Sequence, residues 1–212
     1  MEHYIVYWPQ DIVNNLKKAG DEGPIKVVYG SIHSRMPPIS SVKEGDIVYP
    51  VTLMKKQLYV MARLPVEHKE IAFDYLMREL GQDHGALLPE GVALEHSSTF
   101  YWTTGKSYNS RETVPAGIRI ITLDEQKEKT HQEHQVPFNC CSKYAVWGTK
   151  GSSICPRLIP DELVPTLMFG PKGKERPLTM KNGVVLSNSL TATRRMTEET
   201  AEIFERIFAG EK

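Results

Sequence analysis

Three groups of residues have types and spacings that could do chemistry. The first is a histidine and cysteine set. His131 and His134 stand three apart, which puts two imidazoles on one helical face, and Cys140, Cys141 and Cys155 follow. Tetrahedral zinc takes such ligands. Adjacent cysteines rarely chelate one ion, however, and no Cys-x-x-Cys is present, so no metal site is expected. The same residues could pair a thiolate with an imidazole, but a nucleophilic cysteine needs a cation or a helix N-terminus to lower its pKa. No family signature surrounds any of the three thiols. Their odd number and their spacing point to reduced cysteines.

The second group is the loop Trp147-Gly148-Thr149-Lys150-Gly151-Ser152-Ser153. Its glycines, hydroxyls and lysine could cradle an anion through backbone amides. It is not a Walker A motif, and no cofactor is expected; an ordinary Gly/Ser turn is the simpler reading. The third group is the stretch from Pro171 to Arg195. It carries Lys172, Lys174, Arg176, Lys181, Arg194 and Arg195 against the single acid Glu175. Lysines and arginines contact phosphates, and Trp102, Trp147, Tyr101 or Tyr108 could stack on bases. Aromatic residues in strands more often fill a core. From Glu67 to Glu95 the balance reverses, with seven acidic residues against two basic.

These local fields cancel. The 212 residues hold 26 Lys+Arg and 26 Asp+Glu, so the net charge is zero. That excludes coating of nucleic acid by bulk charge and leaves a local basic surface open. With 40% hydrophobic and 25% charged residues, the chain has the composition of a globular protein, long enough to bury a core without disulfides or metal. No apolar run approaches the ~18 residues of a membrane span. Met1-Glu2-His3-Tyr4-Ile5 does not begin a secretory signal. A cytoplasmic protein without membrane contact is expected.

The elements that must position these groups are mixed. Ile5–Trp8 and Ile25–Tyr29 read as strands around a helix carrying Ile12, Val13 and Leu16, with Asp11 as its cap and Gly20 as its stop. Asp46–Leu53 and Gln57–Leu64 read as a hairpin joined by Met54-Lys55-Lys56, and Pro50 marks an edge or a bulge. Residues 68 to 80 carry helical spacing through Ile71, Ala72, Tyr75, Leu76 and Leu80. Thr99–Trp102 and Gly117–Leu123 read as strands, and the polar run 124–135 as a linker. Pro160–Phe169 reads as a short helix, Asn182-Gly183 as a tight turn, and Thr197 as the cap of a final helix carrying Ala201, Phe204 and Phe208. The expected class is α+β, with domains at 1–124 and 125–212.

Gly30-Ser31-Ile32-His33-Ser34-Arg35, ten residues, then Gly45-Asp46 opening a strand pair resembles the ASCH and EVE branches of the PUA-like superfamily. The resemblance covers roughly residues 4 to 65. It implies a mixed β-barrel with flanking helices, a smaller C-terminal α/β segment packed on it, and a groove for RNA, modified bases or nucleotides. It also implies a binding role for Arg35 beside Ser34, and a turn-forming role for Gly45 and Asp46. The ASCH pattern places Lys and Glu before the arginine. His33 and Ser34 stand here instead, so the amidohydrolase activity of some members is not implied. The whole chain also resembles a group of bacterial proteins in which a Gly-Asp strand pair precedes a Cys-Cys segment and a Phe-Gly-Pro-Lys-like stretch; that resemblance implies no activity.

The expected function is a binding module for RNA, single-stranded DNA or a modified nucleotide. Arg35, Arg157, Arg194 and Arg195 would converge on phosphate, with Lys150 in an anion loop and Trp102 or Trp147 stacked on a base. Two other classes compete with it. One is a small hydrolase using Cys/His or Lys chemistry on nucleotides or amides. The other is a protein-interaction partner in a phage–host or immunity setting, docking through the acidic stretch.

Overall fold

The computed structural model describes residues 1–19, 21–29, 39–71, 75, 92–96, 118–122 and 144–210. Its centre is a parallel pair, β1 (His3–Tyr7) beside β3 (Ile47–Met54), in register from His3↔Ile47 to Tyr7↔Val51. A parallel pair needs a long crossover. Here it runs through α1 (Gln10–Ala19) and β2 (Val27–Tyr29). Both central strands carry a continuous buried apolar run, Tyr4–Tyr7 and Ile47–Val51, because both faces are covered. Tyr4, Val6 and Val48 enter one core with Val13 and Leu16 of α1. Ile5, Tyr7, Ile47, Tyr49 and Val51 enter a second core with Phe204 of the C-terminal helix α2 (Glu198–Ala209). Period-two alternation thus sorts each strand between two cores.

β4 (Gln57–Val60) returns antiparallel to β3, pairing Met54↔Gln57 through Val51↔Val60. Lys55 and Lys56 make the two-residue turn with φ of 50° and 70°. That double left-handed geometry matches the twist of the flanking strands, and lysine is an unusual choice for it. β5 (Leu64–Pro65) continues the same partner strand, pairing Val48↔Leu64. Between Val51↔Val60 and Val48↔Leu64, β3 supplies residues 49–50 and its partner supplies 61–63. The extra residue is a β-bulge. Met61 and Ala62 consequently both enter the α1 core, and the face assignment of every later residue in the strand is inverted. Pro50 lies opposite this bulge in a central strand; its carbonyl accepts the Met61 amide at 2.8 Å.

The outer strands come from the C-terminal half. β10 (Arg157–Leu158) pairs with β4, and β15 (Arg194–Arg195) pairs with β1, giving the order β10-β4-β3-β1-β15. β9 (Tyr144–Trp147) joins β2 and β6 (His68–Ile71) in a three-stranded sheet, and β7 (Val92–His96) pairs with β8 (Ile118–Thr122). Strands from either side of the expected 124/125 boundary therefore share both larger sheets. The architecture is α+β, as expected. No closed barrel forms among the described residues, because β10 and β15 stand at opposite ends of the sheet order.

Two local expectations are corrected. His68–Ile71 is a strand, because its backbone finds β9 at register His68↔Trp147 through Ile71↔Tyr144. Within 160–169 the expected helix is reduced to a turn over 161–163 and a short 3-10 segment at Val164–Thr166, because β11 (Met168–Phe169) pairs with β12 (Arg176–Pro177). Other expectations held. Asn182 and Gly183 turn between β13 (Met180–Lys181) and β14 (Val184–Val185) with φ of 52° and 76°. Thr197 caps α2 by accepting the Thr200 amide, and Gly210 ends it at φ 76°. Gly45 turns at φ 87°, and the Asp46 carboxylate accepts the Glu2 and Lys43 amides, each at 2.9 Å. The expected strand at 99–102, linker at 124–135, and His131, His134, Cys140 and Cys141 lie outside the described residues. No helix among the described residues is long and apolar enough to cross a membrane.

Candidate functional site

The basic segment folds onto one end of the sheet. β11 lies against β15: the Gly170 amide donates to the Arg195 carbonyl at 2.8 Å, the Thr197 amide donates to the Met168 carbonyl at 3.1 Å, and Phe169 bridges to Met196. The hairpin beyond β11 turns at Pro171–Lys174. The Lys174 amide donates to the Pro171 carbonyl at 2.9 Å, with Gly173 third in the turn at φ 81°, where a type II turn needs glycine. Gly170 sits at φ 132°, and a Cβ there would stand 3.0 Å from the Lys174 carbonyl oxygen. This backbone carries Lys172, Lys174 and Arg176 fully exposed beside β15.

The two β15 arginines are more tightly held. Arg194 donates from Nε to the Ser189 carbonyl at 2.5 Å, and burial lowers its pKa. Arg195 donates from Nε and Nη2 to the Gly170 carbonyl, both at 3.4 Å, and its Nη1 pairs with Glu2 at 3.3 Å. Arg195 braces the hairpin, Arg194 ties β15 to the 3-10 turn Ser187–Leu190, and the exposed cations are those of the hairpin itself. Glu175 is the one acid in this hairpin. Its own amide and that of Gly173 hold its carboxyl below the usual range.

The other expected ligand residues are not brought here. Arg157 stands on β10, four strands from β15, about 19 Å across the sheet at the usual strand spacing. It donates to the Cys155 carbonyl at 3.1 Å and lies 4.3 Å over the Phe208 ring. Trp147 belongs to the three-stranded sheet, its Nε1 donating to Glu70 at 2.5 Å and its ring 4.2 Å from that of His68. The loop carrying Lys150 does hold an anion, and that anion is Glu67 of the same chain. The Thr149 amide and hydroxyl donate to it, both at 2.9 Å at closest, and hold its carboxyl low. The loop's glycines serve close packing: a Cβ on Gly151 would meet the Ile25 carbonyl oxygen at 1.7 Å. Arg35, Ser34 and Trp102 lie outside the described residues.

A second feature escaped the sequence reading. A cleft of about 1010 Å³ opens beside β1 and α2, with His3, Arg63 and Glu205 in its wall. Tyr49 stands under it, fully buried and donating to Glu205 Oε1. Arg63 Nε donates to the same oxygen at 2.9 Å, and His3 Nδ1 lies 3.2 Å from the Tyr49 hydroxyl. The bulge delivers Arg63: without the extra residue its side chain would face the α1 core. Phe204 meets the Tyr49 ring edge-on at 5.3 Å and fixes it.

The electrostatics follow from this packing. Burial and the hydrogen bond to Glu205 push the Tyr49 hydroxyl far up. Burial alone would raise Glu205, but hydrogen bonds from Tyr49 and Arg63 outweigh it and the carboxyl ends below its usual range. Burial lowers His3. The cleft therefore holds an ionised carboxylate, a neutral imidazole and a permanent cation. A chain-wide motif could not announce it, since its members are scattered over positions 3, 49, 63 and 205.

No protein-family model gives a significant match to the chain, and neither does any curated protein or solved structure. The fold is α+β, with a basic hairpin at one end of its larger sheet.

Proposed function

We propose that the protein is a nucleic-acid binding module that holds single-stranded RNA or DNA by its phosphates along the β11–β12 hairpin. The observation that carries this reading is the exposure of Lys172, Lys174 and Arg176 on one glycine-shaped hairpin, braced from behind by Arg195. Three flexible cations on a short backbone suit a chain of phosphates, since phosphate contacts tolerate variable geometry. The PUA-like resemblance, with its RNA or modified-nucleotide ligand, belongs to the same proposal; the ordered Gly45-Asp46 turn is compatible with it. Arg195 acts here as a positioning residue more than as a contact.

The test is fluorescence anisotropy of a labelled single-stranded 12-mer titrated with the full chain over a range of salt. Three phosphate contacts give a log–log slope of about −2, or a loss of about twentyfold between 50 and 200 mM salt. Lys172→Glu combined with Lys174→Glu and Arg176→Glu removes the binding. A flat salt response, or unchanged binding by the triple variant, overturns the proposal.

A further inference from the structure

The cleft beside β1 and α2 takes no part in that reading, and its hydrogen bonds leave a defined remainder. Tyr49 spends its only proton on Glu205, so its oxygen must accept from His3 Nδ1. His3 is therefore the Nδ1–H tautomer, and among the described residues its Nε2 accepts from no donor. Glu205 receives both of its protein donors, Tyr49 and Arg63, on Oε1. Among the described residues Oε2 accepts nothing. Two acceptors on two wall residues thus remain, fixed in place by Tyr49, which is itself wedged against Phe204 and Phe208. Around them the wall carries Glu2, Glu198, Glu202 and Glu205 against Arg63, Arg206 and the Met1 amino group, one carboxylate more than the cations. The excess of carboxylates opposes a phosphate and favours a cation.

We propose that this cleft binds a small molecule bearing a guanidinium or amidinium group, with Glu205 Oε2 and His3 Nε2 accepting its N–H donors. A planar fork of N–H groups can reach two acceptors at once, which a point charge such as an ammonium does with less geometric selectivity. The cavity volume is at the upper end of the range for small-molecule sites, so the group can carry a substantial substituent.

Isothermal titration calorimetry on the full chain tests this with butylguanidinium, butylurea and butylammonium. Butylguanidinium binds saturably and tightest; butylurea, the same shape without the charge, binds at least about tenfold more weakly. Glu205→Gln weakens butylguanidinium by a similar factor. Should Glu205→Gln fail to fold, His3→Phe carries the test. It keeps the ring against Tyr49, removes the Nε2 acceptor and lowers the affinity by about fivefold or more. Butylurea binding as well as butylguanidinium, no saturable binding at all, or unchanged affinity in the folded variants overturns the proposal. Single-stranded 12-mer binding is unchanged by His3→Phe, which separates this site from the hairpin.

Discussion

The hairpin and the cleft are neighbours on either side of one short stretch of chain, 195–197, yet they hold charge in different ways. Arg195 of β15 braces the hairpin, while Met196 and Thr197, the next two residues, line the cleft. On the hairpin the backbone is fixed, by Gly170 and Gly173, and the cationic side chains extend into solvent. In the cleft the side chains themselves are fixed, each by another: Tyr49 by Phe204, Glu205 by Tyr49 and Arg63, His3 by Tyr49. Mobile charges on a fixed backbone suit a ligand of variable shape. Charges locked in one donor and acceptor pattern suit a ligand of one shape.

Phe204 is fully buried, and Phe204→Ala is expected to cost about 3–5 kcal/mol of stability, read by denaturant titration. That loss would confirm the cleft as part of the core; a cost near zero would show that Tyr49 is not held by packing. Next in size is Gly170→Ala. A residue with a Cβ at φ 132° is expected to cost about 1–3 kcal/mol and to weaken single-strand binding, while leaving butylguanidinium affinity unchanged. Equal loss at both sites would mean that the two regions are one.

Glu205→Gln keeps the Tyr49 partner but removes the ion pair with Arg63. The Glu205 side chain is 40% exposed, so solvent screening reduces the stability cost to about 1 kcal/mol. The smallest expected effect is a pH response. His3 has its pKa lowered from 6.5, so the unfolded chain binds its proton first. Its contribution is present above 6.5 and lost as pH falls through the folded value. Glu205, lowered from 4.5, adds a second loss at more acid pH. Acid destabilisation should therefore begin just below pH 6.5 in the native chain and only in the carboxylate range in His3→Phe. Identical profiles for the two proteins would deny His3 its place in the network.

Much of the frame was legible because it is local. Ile5–Tyr7 and Ile47–Val51 carry unbroken apolar runs that only strands buried on both sides require. Asn182-Gly183 and Thr197 carry their own turn and cap chemistry. His68–Ile71 was illegible because its strand state comes from pairing with Tyr144–Trp147, a partner far away in sequence. The helix expected over 160–169 failed for a related reason: Met168 and Phe169 are claimed by Arg176 and Pro177. The basic hairpin was visible as composition, though not the capture of the Arg194 and Arg195 side chains by backbone carbonyls. The cleft was hidden by the bulge. Strict alternation from Leu58 and Val60 assigns Arg63 to the face of Tyr59; Pro50 signals an edge or a bulge, but not that the partner strand takes the extra residue between Val60 and Leu64.

The β1–β15 pairing has a consequence for how the chain is made. Arg195 bonds to Glu2 across 193 residues, and α2, which covers Ile5 and Tyr49, follows later still. At about 5–20 residues per second, a ribosome needs roughly 10–40 seconds between the two ends of that contact. Throughout this interval the first strand has been synthesised while one of its covers has not. Completion of the protein is thus a late event in time as well as in sequence, and a stalled nascent chain would display the apolar face of β1 to whatever chaperone or aggregate reaches it first.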